Sequence, residues 1–379
     1  MIIQSKRIWI NGRFSEAQLE IEEGIITRIL EYGRKRTDKD YGNLRIVPGF
    51  IDIHTHGAYG FETNSADEEG LRRWLRGVPK EGVTSILPAT VADQEEVLLP
   101  ALRNIRKVVE TGYEGADILG IHLEGPYISK AYAGGQPNTH IAKPDIAQFD
   151  RLQKEAGNRI KIITMATEED PDFALTRYCH KQGIVVSIGH SAADFRQCEL
   201  ALANGATSMT HVFNALTPIH HRKLGGSGAA LRYQDVYGEI ICDGNHVSVD
   251  TLQYFFRLKG SCRGIMITDS LALKGLPVGT CAKSGSYDVK LHADGSARIK
   301  GTQAFAGSTL RMIDGLKLLV EKAMVPFETA LNSCTINPAR LLREDNHLGR
   351  LMVNYDADLV VLHDDYTIAM TYIKGMEAF

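Results

Sequence analysis

Pro48-Gly49-Phe50-Ile51-Asp52-Ile53-His54-Thr55-His56-Gly57 is the stretch on which the reading of this chain turns. Phe50 to Ile53 is an apolar run of strand length that ends in two histidines two positions apart. Side chains at i and i+2 of a strand share one face. His54 and His56 can therefore look into the same small volume just past the strand's end. Neutral imidazole is the commonest protein metal ligand, and two on one face make half of a metal site. An isolated His-x-His is equally a pair of polar residues at a strand terminus, so the rest of the chain must supply the missing ligands.

Outward from this stretch the pattern is strand, helix-like segment, strand, repeated. Strands are expected at Phe50–His54, Val83–Leu87, Ile118–Glu124, Ile160–Met165, Ile184–His190, Thr207–His211, Gly238–Asp243 and Gly264–Asp269. Each is apolar and rich in β-branched residues, as strands buried on both faces should be. Helical spacing fills the gaps, as in residues 94–109 and 194–203, and Gly82, Gly183 and Gly205 stand where helices would end. This alternation predicts an α/β fold, a (β/α)8 TIM-like barrel over residues 48–344. The rival is a doubly wound sheet, but no G-x-G-x-x-G follows the first strand. Residues 1–47 and 345–379 read as short strands, with Asn11-Gly12 as a tight turn. They are expected to form one small β-sandwich domain from both chain termini. A β-hairpin insertion around Asp294-Gly295 is expected within 276–301, with helices over 308–323, 326–331 and 337–342 after it.

The strand ends carry the chemistry. Five of the eight expected strands finish on a histidine or carboxylate: His54 (with His56), Glu124, His190, His211 and Asp269. A sixth ends in Asp243-Gly244-Asn245-His246. In a barrel of this kind the carboxyl ends of all strands meet at one mouth, where active sites lie. Glu124, His190 and His211 make a two-His, one-carboxylate set that leaves a coordination position open, the arrangement of catalytic metals. Asp269 is then the carboxylate that can take a proton from an attacking water and return it to a leaving group. His122, two residues before Glu124, reads as a residue behind the ligands or in the core.

Composition narrows the remaining classes. The 379 residues carry 44% hydrophobic and 23% charged residues and a formal net charge of −3. There is no basic run or basic patch interleaved with aromatics, so nucleic acid is not an expected partner. The six scattered cysteines form no C-x-x-C pair, which argues against a disulfide framework and a thiolate metal site. No signal peptide or membrane-length apolar stretch is read, and a cytoplasmic location without a membrane partner is expected.

The order P-G-F-I-D-x-H-x-H-G, H-L-E-G-P, G-H-S, T-H-x-x-N-A, D-G-x-H, T-D-S and A-G-S-T-L resembles the amidohydrolase superfamily. Within it the match is to N-acetylglucosamine-6-phosphate deacetylases, over about Pro48 to Leu310. The resemblance implies one or two divalent ions, zinc first, with iron or another metal as alternatives. Glu124, His190 and His211 would hold the main ion, His54 and His56 a second, and Asp269 would be the general base and acid. The substrate side would be Asn214, Ala215 and Arg222 at the phosphate, with Asp243, Gly244, Asn245 and His246 at sugar or phosphate. Gly135, Gln136, Phe305, Ala306 and Gly307 would complete that side. A guanidinium such as Arg222 also suits phosphate on general grounds, because it pairs with two oxygens in parallel. Where many members have a histidine aimed at the substrate carbonyl, this chain reads Ala133-Gly134-Gly135-Gln136, and the Gln136 amide can donate in its place. The usual R-E-P-G is here Arg222-Lys223-Leu224-Gly225.

The implied reaction removes the acetyl group of N-acetylglucosamine 6-phosphate in amino-sugar catabolism, by a homodimer. Its alternatives are the C4 epimer, N-acetylgalactosamine 6-phosphate, and a cyclic amide or nucleobase. Members acting on the latter often bridge two metals with a modified lysine, at a position where this chain offers Glu124. A scaffold without activity should have lost ligands, and none is missing.

Overall fold

The computed structural model describes residues 1–379. Strands from both termini share a single hydrogen-bonded sheet. Its central strands are Ile2–Ile10, Arg13–Glu22 and Arg45–Pro48 from the N-terminal side and Leu359–Leu362 and Ile368–Ile373 from the C-terminal side. The Asn11-Gly12 turn forms as expected, with φ of 49° and 79°, the doubly left-handed turn that matches the twist of a tight hairpin. Side chains alternate across this sheet. Ile46, Leu359 and Val361 enter an apolar cluster of terminal residues, whereas Val47, Val360 and Leu362 join the main core.

Only Gly49 separates Arg45–Pro48 from the strand Phe50–Thr55. Its N–H donates to the Asp358 carbonyl at 2.9 Å, and any side chain there would collide with Thr84. The terminal sheet therefore runs directly into the first of the parallel strands.

Those strands alternate with helices through the centre of the molecule. They are Phe50–Thr55, Val83–Pro88, Ile121–Glu124, Ile160–Met165, Val185–Ile188, Ala206–Met209, Tyr237–Ile241 and Gly264–Ile267. Helices Glu68–Gly77, Glu95–Thr111, Ile146–Glu155, Ala174–Lys181, Phe195–Ala203, Gly225–Arg232, Val249–Arg263 and Met312–Glu321 follow them one by one. Adjacent strands pair in parallel within two ladders. One junction is bridged between Ala89 and His122; at the other the Asp269 N–H donates to the His54 carbonyl at 2.8 Å.

Four departures from the sequence reading have local causes. The third strand is split, because Asp117–Ile118 pairs with the second strand and Ile121–Glu124 with the fourth. The last four strands end at Ile188, Met209, Ile241 and Ile267, two residues before His190, His211, Asp243 and Asp269. The insertion is a four-stranded antiparallel sheet rather than a hairpin, since Cys281–Ser284 and Phe305–Gly307 flank the expected pair Tyr287–Leu291 and Ala297–Ile299. Finally, Ser308 stays extended beside Ser270, so the next helix begins only at Met312. Four cysteines are buried and Cys262 and Cys281 are exposed, all free. No helix is long and apolar enough to cross a membrane.

Candidate metal centre and active site

Glu124 sits at the centre of the strand mouth. Its Oε1 lies 3.1 Å from His211 Nε2, 3.2 Å from His190 Nε2 and 3.3 Å from His54 Nε2. Its Oε2 lies 3.4 Å from His56 Nε2 and accepts a hydrogen bond from the Gln136 amide. Residues from strands separated by up to 157 positions of sequence thus converge on one carboxylate, as the sequence reading expects of these five.

The orientation of the imidazoles is set from behind. Each Nδ1 faces an acceptor: Ala89 O for His56 at 3.2 Å, Tyr132 O for His190 at 3.1 Å, Asn214 O for His211 at 3.1 Å, and Glu239 Oε2 for His54 at 2.9 Å. An acceptor behind Nδ1 keeps the proton there and turns the Nε2 lone pair to the front. All four lone pairs therefore aim at the centre. His190 and His211 bring theirs within 3.1 Å of each other, a repulsive contact unless a positive charge lies between. Glu124, His190 and His211 form one compact donor group that could hold a cation, and His54, His56 and Asp269 another. Nitrogen and carboxylate donors of this kind suit a divalent transition metal.

Backbone strain aims these side chains. His190, His211 and Asp269 all adopt left-handed φ, at 48°, 27° and 50°. Such conformations cost on the order of 1 kcal/mol or more for a residue with a side chain and are held at functional sites by the surrounding structure. Here the parallel strand ends two residues early, and the left-handed residue turns its side chain back over the mouth. Glu124 stays in its strand; Gly125, with φ of 71°, leads the chain away after it.

Electrostatics follow from the crowding. Burial pushes the Glu124 carboxyl upward, but His54, His190 and His211 outweigh it and hold it well below the usual carboxylate range. Asp269 is likewise opposed by burial and held low by His56, 3.0 Å away, and by His54. His122 is the reverse case: burial, then the neighbouring His54, pushes it far below the ordinary histidine value. It lies under the His54 ring, 4.2 Å between centroids, and bonds the Ile53 carbonyl and the Thr164 hydroxyl, so it supports the ligands without joining them.

Above the metal ligands opens a cavity of about 290 Å³. Gly135, Gln136, Asn214, Ala215, His246, Phe305, Ala306 and Gly307 line it together with Asp269. Other expected substrate residues stand differently. Asp243 lies behind His246, bonding its Nδ1 at 2.6 Å, and the Asn245 amide turns to the Asp294 carbonyl. Gly244 forms the left-handed turn between them, at φ 75°. Arg222 is exposed on the loop before the helix Gly225–Arg232 and is outside the cavity lining. Gln136 is already committed at both ends, to Glu124 and to the Ala92 N–H, and so braces a metal ligand instead of facing the cavity freely.

The sequence reading passed over Glu239, which is fully buried and holds His54. The signal was there: an acid in the middle of the apolar strand Tyr237-Gly238-Glu239-Ile240-Ile241 is costly unless it has a partner.

Comparison with known proteins agrees with this geometry. Residues 45–377 match the model of the amidohydrolase family. The N-acetylglucosamine-6-phosphate deacetylase of Bacillus subtilis is 37% identical over 337 residues, covering 88% of this chain and 84% of its own. The N-acetylgalactosamine-6-phosphate deacetylase of Escherichia coli O157:H7 is 29% identical, covering 100% of this chain and 99% of its own. Among solved structures, a mutant N-acetyl-D-glucosamine-6-phosphate deacetylase of Mycobacterium smegmatis, in complex with N-acetyl-D-glucosamine-6-phosphate, superposes with a TM-score of 0.94 at 28% identity. That superposition covers 100% of this chain and 99% of the other, so the parallel strands and helices described above share its TIM-barrel-type fold. On this agreement of sequence and fold, the chain belongs to the amidohydrolase family, in its N-acetylglucosamine-6-phosphate deacetylase branch.

Proposed function

We propose that this chain hydrolyses the acetamide of N-acetylglucosamine 6-phosphate to acetate and glucosamine 6-phosphate. The observation that carries the reading is Asp269, facing the cavity directly beside the converging imidazoles, in a chain whose relatives deacetylate hexosamine phosphates. Glu124, His190 and His211 would hold a divalent cation, zinc by preference, and His54 and His56 a second. Such an ion supplies a water of lowered pKa and polarises a carbonyl oxygen.

The chain's own residues do the rest. Asp269 takes a proton from the water as its oxygen bonds to the acetyl carbon. It gives that proton to the sugar nitrogen as the carbon–nitrogen bond breaks, so the amine leaves neutral. Phe305, Ala306 and Gly307 wall the sugar against solvent. His246, held by Asp243, the side-chain amide of Asn214 and the backbone N–H of Ala215 offer donors to hydroxyl or phosphate oxygens. Arg222 would swing over the cavity to pair with phosphate, which fixes the acetamide at the reactive end. Arg222→Ala is therefore expected to raise KM about 10- to 100-fold with kcat little changed; an unchanged KM removes Arg222 from phosphate binding.

The same reading extends to architecture and assembly. The eight parallel strands close as a (β/α)8 barrel over residues 48–344, and the terminal sheet folds as a small sandwich domain of 1–47 with 345–379. The separate apolar cluster drawn from both termini supports this division. Two copies would form a homodimer in the cytoplasm.

Acetate release measured side by side on the two epimeric N-acetylhexosamine 6-phosphates tests the function. The expected result is faster release from the gluco epimer. Faster release from the galacto epimer would change the substrate, and release from neither would overturn the reading.

A further inference from the structure

We infer that Glu239 is a positioning residue that decides whether a second divalent cation is held at His54 and His56. The inference rests on the metal-dependent reading above and concerns a residue outside the ligand set itself.

Three of the four converging imidazoles lean on neutral backbone carbonyls; His54 alone leans on a carboxylate. An anion behind Nδ1 makes Nε2 a stronger donor to a cation than a carbonyl does. Glu239 reaches the centre only through His54, and its second oxygen, Oε1, has no hydrogen-bond partner. Both residues are wholly buried. The ring nearest to His54 is His122, whose two nitrogens are taken by the Ile53 carbonyl and the Thr164 hydroxyl. It brings no positive charge.

The balance of charge points the same way. Glu124, Asp269 and Glu239 are the carboxylates within hydrogen-bond reach of these imidazoles, and none pairs with a lysine or arginine. With neutral imidazoles, one divalent cation leaves a net charge of −1 in the buried centre; a second leaves +1. A buried carboxylate without a compensating charge is costly. Of the three, Glu239 bonds His54 and none of the other converging imidazoles. The charge it adds is therefore addressed to the His54 and His56 position, and the first ion's site should hardly feel its removal.

A plain structural role for Glu239 would be to keep the His54 ring in place. Glutamine can do that, because its amide oxygen still accepts from Nδ1, so Glu239→Gln removes charge while keeping the brace. The purified chain would be stripped with a chelator and retitrated with Zn²⁺. Ions per chain would be read by elemental analysis, and each affinity by competition with a chromophoric chelator. Wild type is expected to bind two ions. E239Q should bind the tighter one as wild type does and the weaker one about 10- to 100-fold less well, while the metal-free proteins melt alike. Glu239→Asp, which keeps the charge, should hold the second ion more tightly than E239Q. Two ions at wild-type affinity in E239Q, equal weakening of both, a second ion held better by Gln than by Asp, or a wild type that takes up one ion only would each overturn the inference. A wild type that binds no ion would instead sink the metal-dependent reading itself.

Discussion

Asp269→Asn is expected to cut turnover by at least about 10³-fold, equivalent to roughly 4 kcal/mol of barrier, with the ion at Glu124, His190 and His211 retained. Asparagine keeps the shape of the side chain but can neither accept the water's proton nor return one to the amine. Both proton transfers fail together. The backbone holds the position rigidly: the Asp269 N–H donates to the His54 carbonyl and its own carbonyl accepts from Ser308, both at 2.8 Å. The substituted side chain should therefore stay in place, and the loss should be chemical rather than structural. Acetate release at saturating substrate, with metal content determined on the same sample, is the measurement. Turnover within a few-fold of wild type would take Asp269 out of the reaction.

Glu124→Gln is the second large effect, and it acts on the metal first. Glu124 Oε1 is within 3.3 Å of the Nε2 atoms of His54, His190 and His211, so one oxygen supplies the anion to three imidazoles. Gln136 braces the other oxygen. Replacing the carboxylate by an amide removes the negative charge and offers, at best, one neutral oxygen. Metal affinity is expected to fall at least about 100-fold, since even the residues behind metal ligands are worth 10- to 100-fold. Activity should fall with it and recover in part when metal is added in excess. Dialysis against a chelator followed by elemental analysis gives the answer; wild-type metal content in E124Q after that treatment would exclude Glu124 as a ligand.

Much of this site could be read from the chain because its parts stand at strand ends. His54 and His56 announce themselves by spacing, and Glu124, His190, His211 and Asp269 by closing apolar runs. Local pattern does not encode how the strands stop. His190, His211 and Asp269 lie beyond the last ladder hydrogen bonds in left-handed conformations that β-branched neighbours gave no reason to expect. The split of the third strand was hidden for a similar reason: Ile118 and Ile121 are both apolar, and only the choice of partner separates them. Glu239 was missed because strand reading rewards the apolar residues around it and passes over a single acid. The loops were least legible. Asn245 shares a motif with the cavity residue His246, yet the fold turns it toward Asp294, and it leaves Arg222 exposed.

The junction at Gly49 has a consequence for how the molecule comes into being. Arg45–Pro48, which continues into the strand bearing His54 and His56, takes Leu359–Leu362 as its antiparallel neighbour. A ribosome releases those last residues only after every ligand has been synthesised. A nascent chain halted before Leu359 would hold all five ligands and Asp269, yet their leading strand would hang from an unpaired sheet edge.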